Sequence, residues 1–121
     1  MKSEIKSFRD LIVWQKSADL AVLVYKNTDK FPNSELYGIV NQMRRAVVSV
    51  SSNIAEGFKK RGRTDKVRFM NIGQGSLEEC RYYLILAKDL GYGDTNKYTN
   101  QLVEVSKLLQ SYSQSILNSV S

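Results

Sequence analysis

Apolar residues recur at alternating steps of four and three along most of this chain, a spacing that leaves room for little besides helix. Leu36, Val40, Met43, Val47, Val50 and Ile54 form the clearest such line. It is the repeat of a seam buried along one side of a helix. Inside it, Val47-Val48-Ser49-Val50-Ser51-Ser52 has the composition of a strand. The seam runs through that segment in register, with no turn residue to interrupt it, so the segment reads as helix.

Three further stretches repeat the pattern. In the first, Leu11, Trp14, Ala18, Ala21 and Tyr25 mark one line, with Val13, Leu20 and Val24 beside it. Phe31-Pro32 ends it, since proline pushes the preceding residue out of the helical region. Ser34 is placed to cap the second helix, and Gly57 to Arg63 form the loop after it. Thr64 is placed to cap a third helix carrying Val67, Met70, Leu77, Leu84 and Ala87 on one line. Phe69, Ile72, Tyr83, Leu86 and Leu90 mark another. Gly73 and Gly75 interrupt it at about 1 kcal/mol each against alanine, which points to tight packing or local irregularity there. Gly91 suits the residue just past its end. Asp94 or Thr95 caps a fourth helix with Tyr98, Leu102, Val105, Leu109, Tyr112 and Ile116 in step.

The spacing therefore predicts helices over about 8–29, 35–57, 65–90 and 95–118, and no strand. With short connections the expected fold is all-α, an antiparallel up-down-up-down four-helix bundle in a single domain, 1–121. A chain of 121 residues, 42% of them hydrophobic, is large enough to bury one core.

Composition narrows the chemistry. There is no histidine, so the commonest general base and metal ligand are both missing. The lone Cys80 allows neither an internal disulfide nor a cysteine zinc cluster, and reads as a small buried hydrophobe. No acid–base pair, nucleophile–base set or ExxH ligand pair stands out. No catalytic residue, metal site or cofactor is expected, and an enzyme is the least supported class. The polar start at Met1 lacks an apolar leader, and no apolar run is long enough to span a bilayer. With a free cysteine, this predicts a cytoplasmic protein without a membrane role.

The charge is unevenly placed. Lysine and arginine number 18 against 12 acids. Lys59, Lys60, Arg61, Arg63, Lys66 and Arg68 stand against one acid, Asp65, so five of the six net positive charges fall within ten residues. Such a cluster neutralises phosphates, with an affinity that falls steeply as salt rises. A solvated loop is the plain alternative. Phe58 and Phe69 only flank the cluster, which favours contact with phosphate over base stacking. Arg44 and Arg45 lie several turns back, away from it.

A polar line, Gln42, Arg45, Ser49, Asn53 and Glu56, accompanies the seam of the second helix. Ser76 and Glu79 share that spacing on the third. These residues are expected to form a structural network, with Arg45 meeting Glu79 across helices.

The string from Gln42 to Phe58, with Asn53-Ile54-Ala55-Glu56-Gly57 at its centre, resembles the signature of the four-helix proteins encoded within intervening sequences of bacterial 23S rRNA genes. Phe8 to Lys16, Phe31-Pro32, Gly75 to Glu79 and Ala87 to Tyr92 extend the resemblance, whereas the fourth helix matches in periodicity alone. Gly73 departs from it, standing where a small residue such as alanine is expected. The resemblance implies a small antiparallel bundle assembling into a homopentamer. It also implies kinship with the accessory variability determinant of diversity-generating retroelements, a basic pentamer that binds nucleic acid and a reverse transcriptase. The expected function is a non-enzymatic homo-oligomer that binds RNA or DNA through the basic loop. The alternative is an adaptor for a protein partner, a reverse transcriptase or a ribosome-associated factor.

Overall fold

Each apolar seam finds its partners in an all-helical arrangement. The computed structural model describes residues 4–119, so the reading of the polar start at Met1 falls partly outside the described residues. Four long helices follow one another: α1 Ile12–Thr28, α2 Asn41–Lys59, α3 Arg63–Asp89 and α4 Asn96–Asn118. Among the described residues there is no strand. Packing joins α1 to α2, α2 to α3, α3 to α4 and α4 back to α1, consistent with an antiparallel up-and-down bundle.

The seams of α2 and α4 and the first line of α3 lie where the spacing puts them, whereas on the second line of α3 Ile72 and Leu90 are exposed and Phe69, Tyr83 and Leu86 are half-buried. Met43, Val47, Val50 and Ile54 from α2 are buried with Met70, Leu77 and Leu84 from α3 and Leu102, Val105 and Leu109 from α4. Each such aliphatic side chain contributes about 1.5–3 kcal/mol by leaving water. Cys80 lies in the same core, and burial pushes its thiol up to about 12. The strand-like run from Val47 to Ser52 is helical throughout.

In α1 the buried seam is the second of the two expected lines, Val13, Leu20 and Val24, extended by two hydroxyl residues. The buried line is Val13, Ser17, Leu20, Val24 and Thr28, while Trp14, Ala18 and Ala21 are half-buried and Tyr25 is exposed. The two hydroxyls escape an apolar count. Each is satisfied within the helix: Ser17 donates to Trp14 O at 2.7 Å, and Thr28 to Val24 O at 2.7 Å. A small residue whose hydroxyl bonds the preceding turn packs as if apolar.

The helix ends differ from the expected ones in four places. Phe8–Asp10 is a separate 3-10 turn, closed by a reciprocal capping box between Ser7 and Asp10, and Leu11 is extended before α1 begins. Ser34 caps nothing. It lies in the 3-10 turn Asn33–Glu35, followed by a π turn, Leu36–Val40, kinked at Gly38. Leu36 is thereby turned out to solvent. Gly57 does not end α2, which continues to Lys59 and leaves a connection of only Lys60–Gly62. There Gly57 is pressed against α3: a Cβ would lie 2.8 Å from Phe69 Cβ and 3.3 Å from the Lys66 carbonyl oxygen. Thr64 falls inside α3, whose N-cap is Gly62.

Gly91 does end α3 as expected. Its φ is 79°, and Tyr92 N–H bonds Ala87 O at 2.9 Å while Gly91 N–H bonds Lys88 O at 3.0 Å. That pair of bonds is a Schellman closure, which favours glycine at the left-handed position. Thr95 is the N-cap of α4 by position, but Asp94 supplies the side chain, its Oδ1 accepting from Asn96 N–H at 3.0 Å.

Candidate nucleic-acid interface

One end of the bundle gathers the start of the chain, the α2–α3 turn and the end of α4. Because the turn is only three residues, the six cations of the Lys59–Arg68 cluster are drawn onto this end. Their tasks differ. Lys66 donates from Nζ to the carbonyl of Phe58 and so caps the last turn of α2. Half-buried there, its ammonium is pushed below its usual pKa by desolvation. Arg63 closes α4 in the same way, donating to Ser119 O at 2.7 Å and Leu117 O at 3.3 Å. Arg68 pairs with Asp65 at 3.5 Å. Lys59, Lys60 and Arg61 are exposed and make no ion pair among the described residues.

The cluster is not free of aromatic rings, as its sequence suggested. Lys60 Nζ lies 5.1 Å and the Arg68 guanidinium 4.8 Å from the centre of the Phe69 ring, and Lys66 Nζ lies 5.3 Å from that of Phe58. The rings flank in sequence but interleave in space, because the tight turn folds α2 and α3 back on one another. Cation–ring contacts of this kind hold the charges close to an apolar floor. At the same end, Arg9 in the 3-10 turn before α1 and Lys6 just ahead of that turn add two exposed cations. Their distance from the loop in sequence hid them.

The polar line of α2 divides. Ser49 and Ser76 hydroxyls meet across α2 and α3 at 2.8 Å, and Asn53 Nδ2 donates to Ser49 O at 2.7 Å and to its hydroxyl at 3.0 Å. Gln42, Arg45 and Glu56 are exposed and make no side-chain hydrogen bond or ion pair among the described residues. Arg45 does not bridge to Glu79, which instead accepts from the Tyr83 hydroxyl at 3.4 Å. Both lie one turn from the Ser49–Ser76 contact on the outer seam of the two helices, with their heads in solvent. Two cross-helix links went unread. Gln74 and Ser106 exchange hydrogen bonds at 3.0 and 3.1 Å, and Arg44 ties α2 to the end of α1. Neither leaves a signal in spacing.

Among the described residues no three His, Cys, Asp or Glu side chains are placed to hold a metal ion. No helix there is long and apolar enough to cross a membrane.

No curated protein matches the chain. A solved structure does: a protein of unknown function from the S23 ribosomal protein family of Bacteroides thetaiotaomicron VPI-5482 superposes with a TM-score of 0.74 at 27% identity. The superposition covers 85% of this chain and 99% of that one. The 23S rRNA-intervening sequence protein family matches residues 9–111, from the 3-10 turn before α1 through most of α4. With that match reaching into all four helices and the fold to go with it, this chain belongs to the 23S rRNA-intervening sequence protein family.

Proposed function

We propose that this protein is a non-enzymatic homo-oligomer that binds nucleic acid, RNA in the first instance, through the turn between α2 and α3. The observation that carries this is the unpaired exposure of Lys59, Lys60 and Arg61 around a three-residue turn. Three cations held this close, without acids to neutralise them, suit a phosphate backbone.

Assembly into a ring, a pentamer by the family resemblance, would present several copies of the turn together and raise avidity without new contacts. The outer seam of α2 and α3 supports self-association. Val48, Arg45 and Glu56 are exposed on α2 and Ile72 on α3, and Arg45 and Glu56 form no ion pair among the described residues, which leaves apolar and oppositely charged groups for a second copy.

Fluorescence anisotropy of a labelled RNA, titrated across salt, tests the binding. The affinity should fall linearly with salt on logarithmic axes, and replacing Lys59, Lys60 and Arg61 by alanine should flatten that slope. Absence of binding at low salt would rule the reading out. Light scattering tests assembly: a mass several times 13.8 kDa is expected, lowered by Arg45→Met. A strict monomer would remove the oligomer from the proposal.

A further inference from the structure

Beside the basic turn lies an apolar cleft of about 250 Å³, between the 3-10 turn at Phe8–Asp10 and the last turns of α2. Phe8, Ala55 and Phe58 form its walls, and Lys6, Ser7 and Lys59 stand around it. We propose that this cleft receives one unstacked base of a single-stranded stretch of nucleic acid, whose phosphates are held by Lys6, Lys59 and the adjoining turn. The inference rests on the nucleic-acid reading above and gives it a substrate class.

Three observations combine. The walls are two aromatic rings and a methyl group, apolar chemistry on which a base stacks irrespective of its identity. The volume is below that of a site for a whole drug-sized ligand, and suits a single planar group. The charges are complementary: Lys6 and Lys59 are exposed and make no ion pair among the described residues. The carboxylate close by, Asp10, is engaged in accepting the backbone N–H groups of Lys6 at 2.9 Å and Ser7 at 3.0 Å.

The cleft is also braced. The Phe8 ring packs edge-on to Trp14, with centres 4.9 Å apart, and Lys66 lies over the Phe58 ring while capping α2. A wall held from behind needs little ordering when a base arrives. A duplex cannot use it, because its bases are stacked and paired and offer no free face.

Trp14 is the chain's one tryptophan, so its emission reports on the cleft through Phe8. The test compares a short labelled oligoadenylate with a blunt RNA duplex of equal length, on the full chain and at one salt concentration. The single strand should bind about tenfold more tightly and quench Trp14. Ala55→Leu fills the cleft and leaves every cation in place. It should weaken single-strand binding about tenfold and abolish the quench, with duplex binding unchanged. Phe58→Leu, checked for its helical signal, should act in the same direction. Equal affinity for single strand and duplex, or full single-strand affinity in Ala55→Leu, overturns the cleft while leaving phosphate binding by the turn in place. Binding of neither RNA at low salt overturns both.

Discussion

Arg44 of α2 donates from Nε to the hydroxyl of Thr28, the last residue of α1, at 2.9 Å. The same guanidinium reaches Tyr25 O at 3.2 Å and Asp29 Oδ1 at 2.8 Å, and lies 4.7 Å from the centre of the Tyr25 ring. It therefore satisfies carbonyl and hydroxyl groups that the end of α1 would otherwise leave to water. It also places a cation at the negative end of that helix.

Arg44→Met should lower unfolding free energy by about 2 kcal/mol, as the loss of a charged donor to several acceptors at a half-buried helix end. Arg44→Lys should recover only part of this, since one ammonium cannot reproduce a planar fork. Arg45→Met should leave the stability of a dissociated protomer within about 0.5 kcal/mol, because the side chain is exposed and makes no hydrogen bond or ion pair among the described residues. Urea denaturation at low protein concentration separates the two neighbours. Equal losses at both positions would contradict the geometry.

The glycines give opposite outcomes on the same backbone. Gly57→Ala drives a methyl into Met70 and Phe69, where α2 and α3 cross above the turn. It should cost about 1–3 kcal/mol, as overpacking does. Gly75 has no atom within 4 Å of where its Cβ would be, and sits in mid-helix on the outer face of α3. Gly75→Ala should stabilise the protomer by about 0.5–1 kcal/mol through helix propensity. Thermal melts of both variants check the pair. A lower melting temperature in Gly75→Ala would mean that this face is covered by another subunit.

Legibility followed the kind of force involved. The seams of α2, α3 and α4 were readable because burial repeats with the helix, and Val47 to Ser52 obeyed that repeat against its strand propensity. Gly73 and Gly75 misled as a sign of tight packing: a Cβ on Gly73 would make an ordinary contact, 3.4 Å from Leu109 Cδ2, and one on Gly75 would meet nothing within 4 Å. Of the core line of α1, Val13, Leu20 and Val24 were readable, but Ser17 and Thr28 were not, since they satisfy their hydroxyls on their own helix and so break an apolar count. Gly57 imitated a terminator, although its lack of a side chain serves the approach of α3. In the candidate site, Lys59, Lys60 and Arg61 were legible as charge. The capping duties of Arg63 and Lys66 depend on carbonyls brought in by folding, and the placing of Phe8 and Phe58 on one cleft likewise comes only with the fold. Neither has a period.

Cys80 offers a probe of opening. Desolvation raises its thiol to about 12, against 9.0 for a free thiol, with Glu79 adding to the shift. A folded pKa above the unfolded one means that the neutral thiol is the form the fold favours. That contribution is complete below about pH 9 and is lost as pH rises toward 12. At pH 8 a thiol reagent should react with the folded protein only through opening of the core, far more slowly than with a free thiol. The logarithm of the rate should rise in Gly57→Ala in proportion to its loss of stability, about tenfold for each 1.4 kcal/mol. Rapid stoichiometric labelling of the native protein would contradict the burial of this side chain.

The six cations of the turn should separate by function. Lys60→Ala with Arg61→Ala removes exposed charges that hold no helix end, so stability should stay within about 0.5 kcal/mol. RNA affinity should fall, and the slope of log affinity against log salt should lose about 1.4, which is two phosphates on a single strand. Arg63→Ala and Lys66→Ala instead uncap α4 and α2. Each should cost about 1 kcal/mol, with a smaller change in salt slope than the exposed pair gives. Denaturation and salt titration on the same four proteins decide it. If all the variants lost the same slope, the charges would act as one diffuse field, and the division between capping and exposed cations would not govern binding.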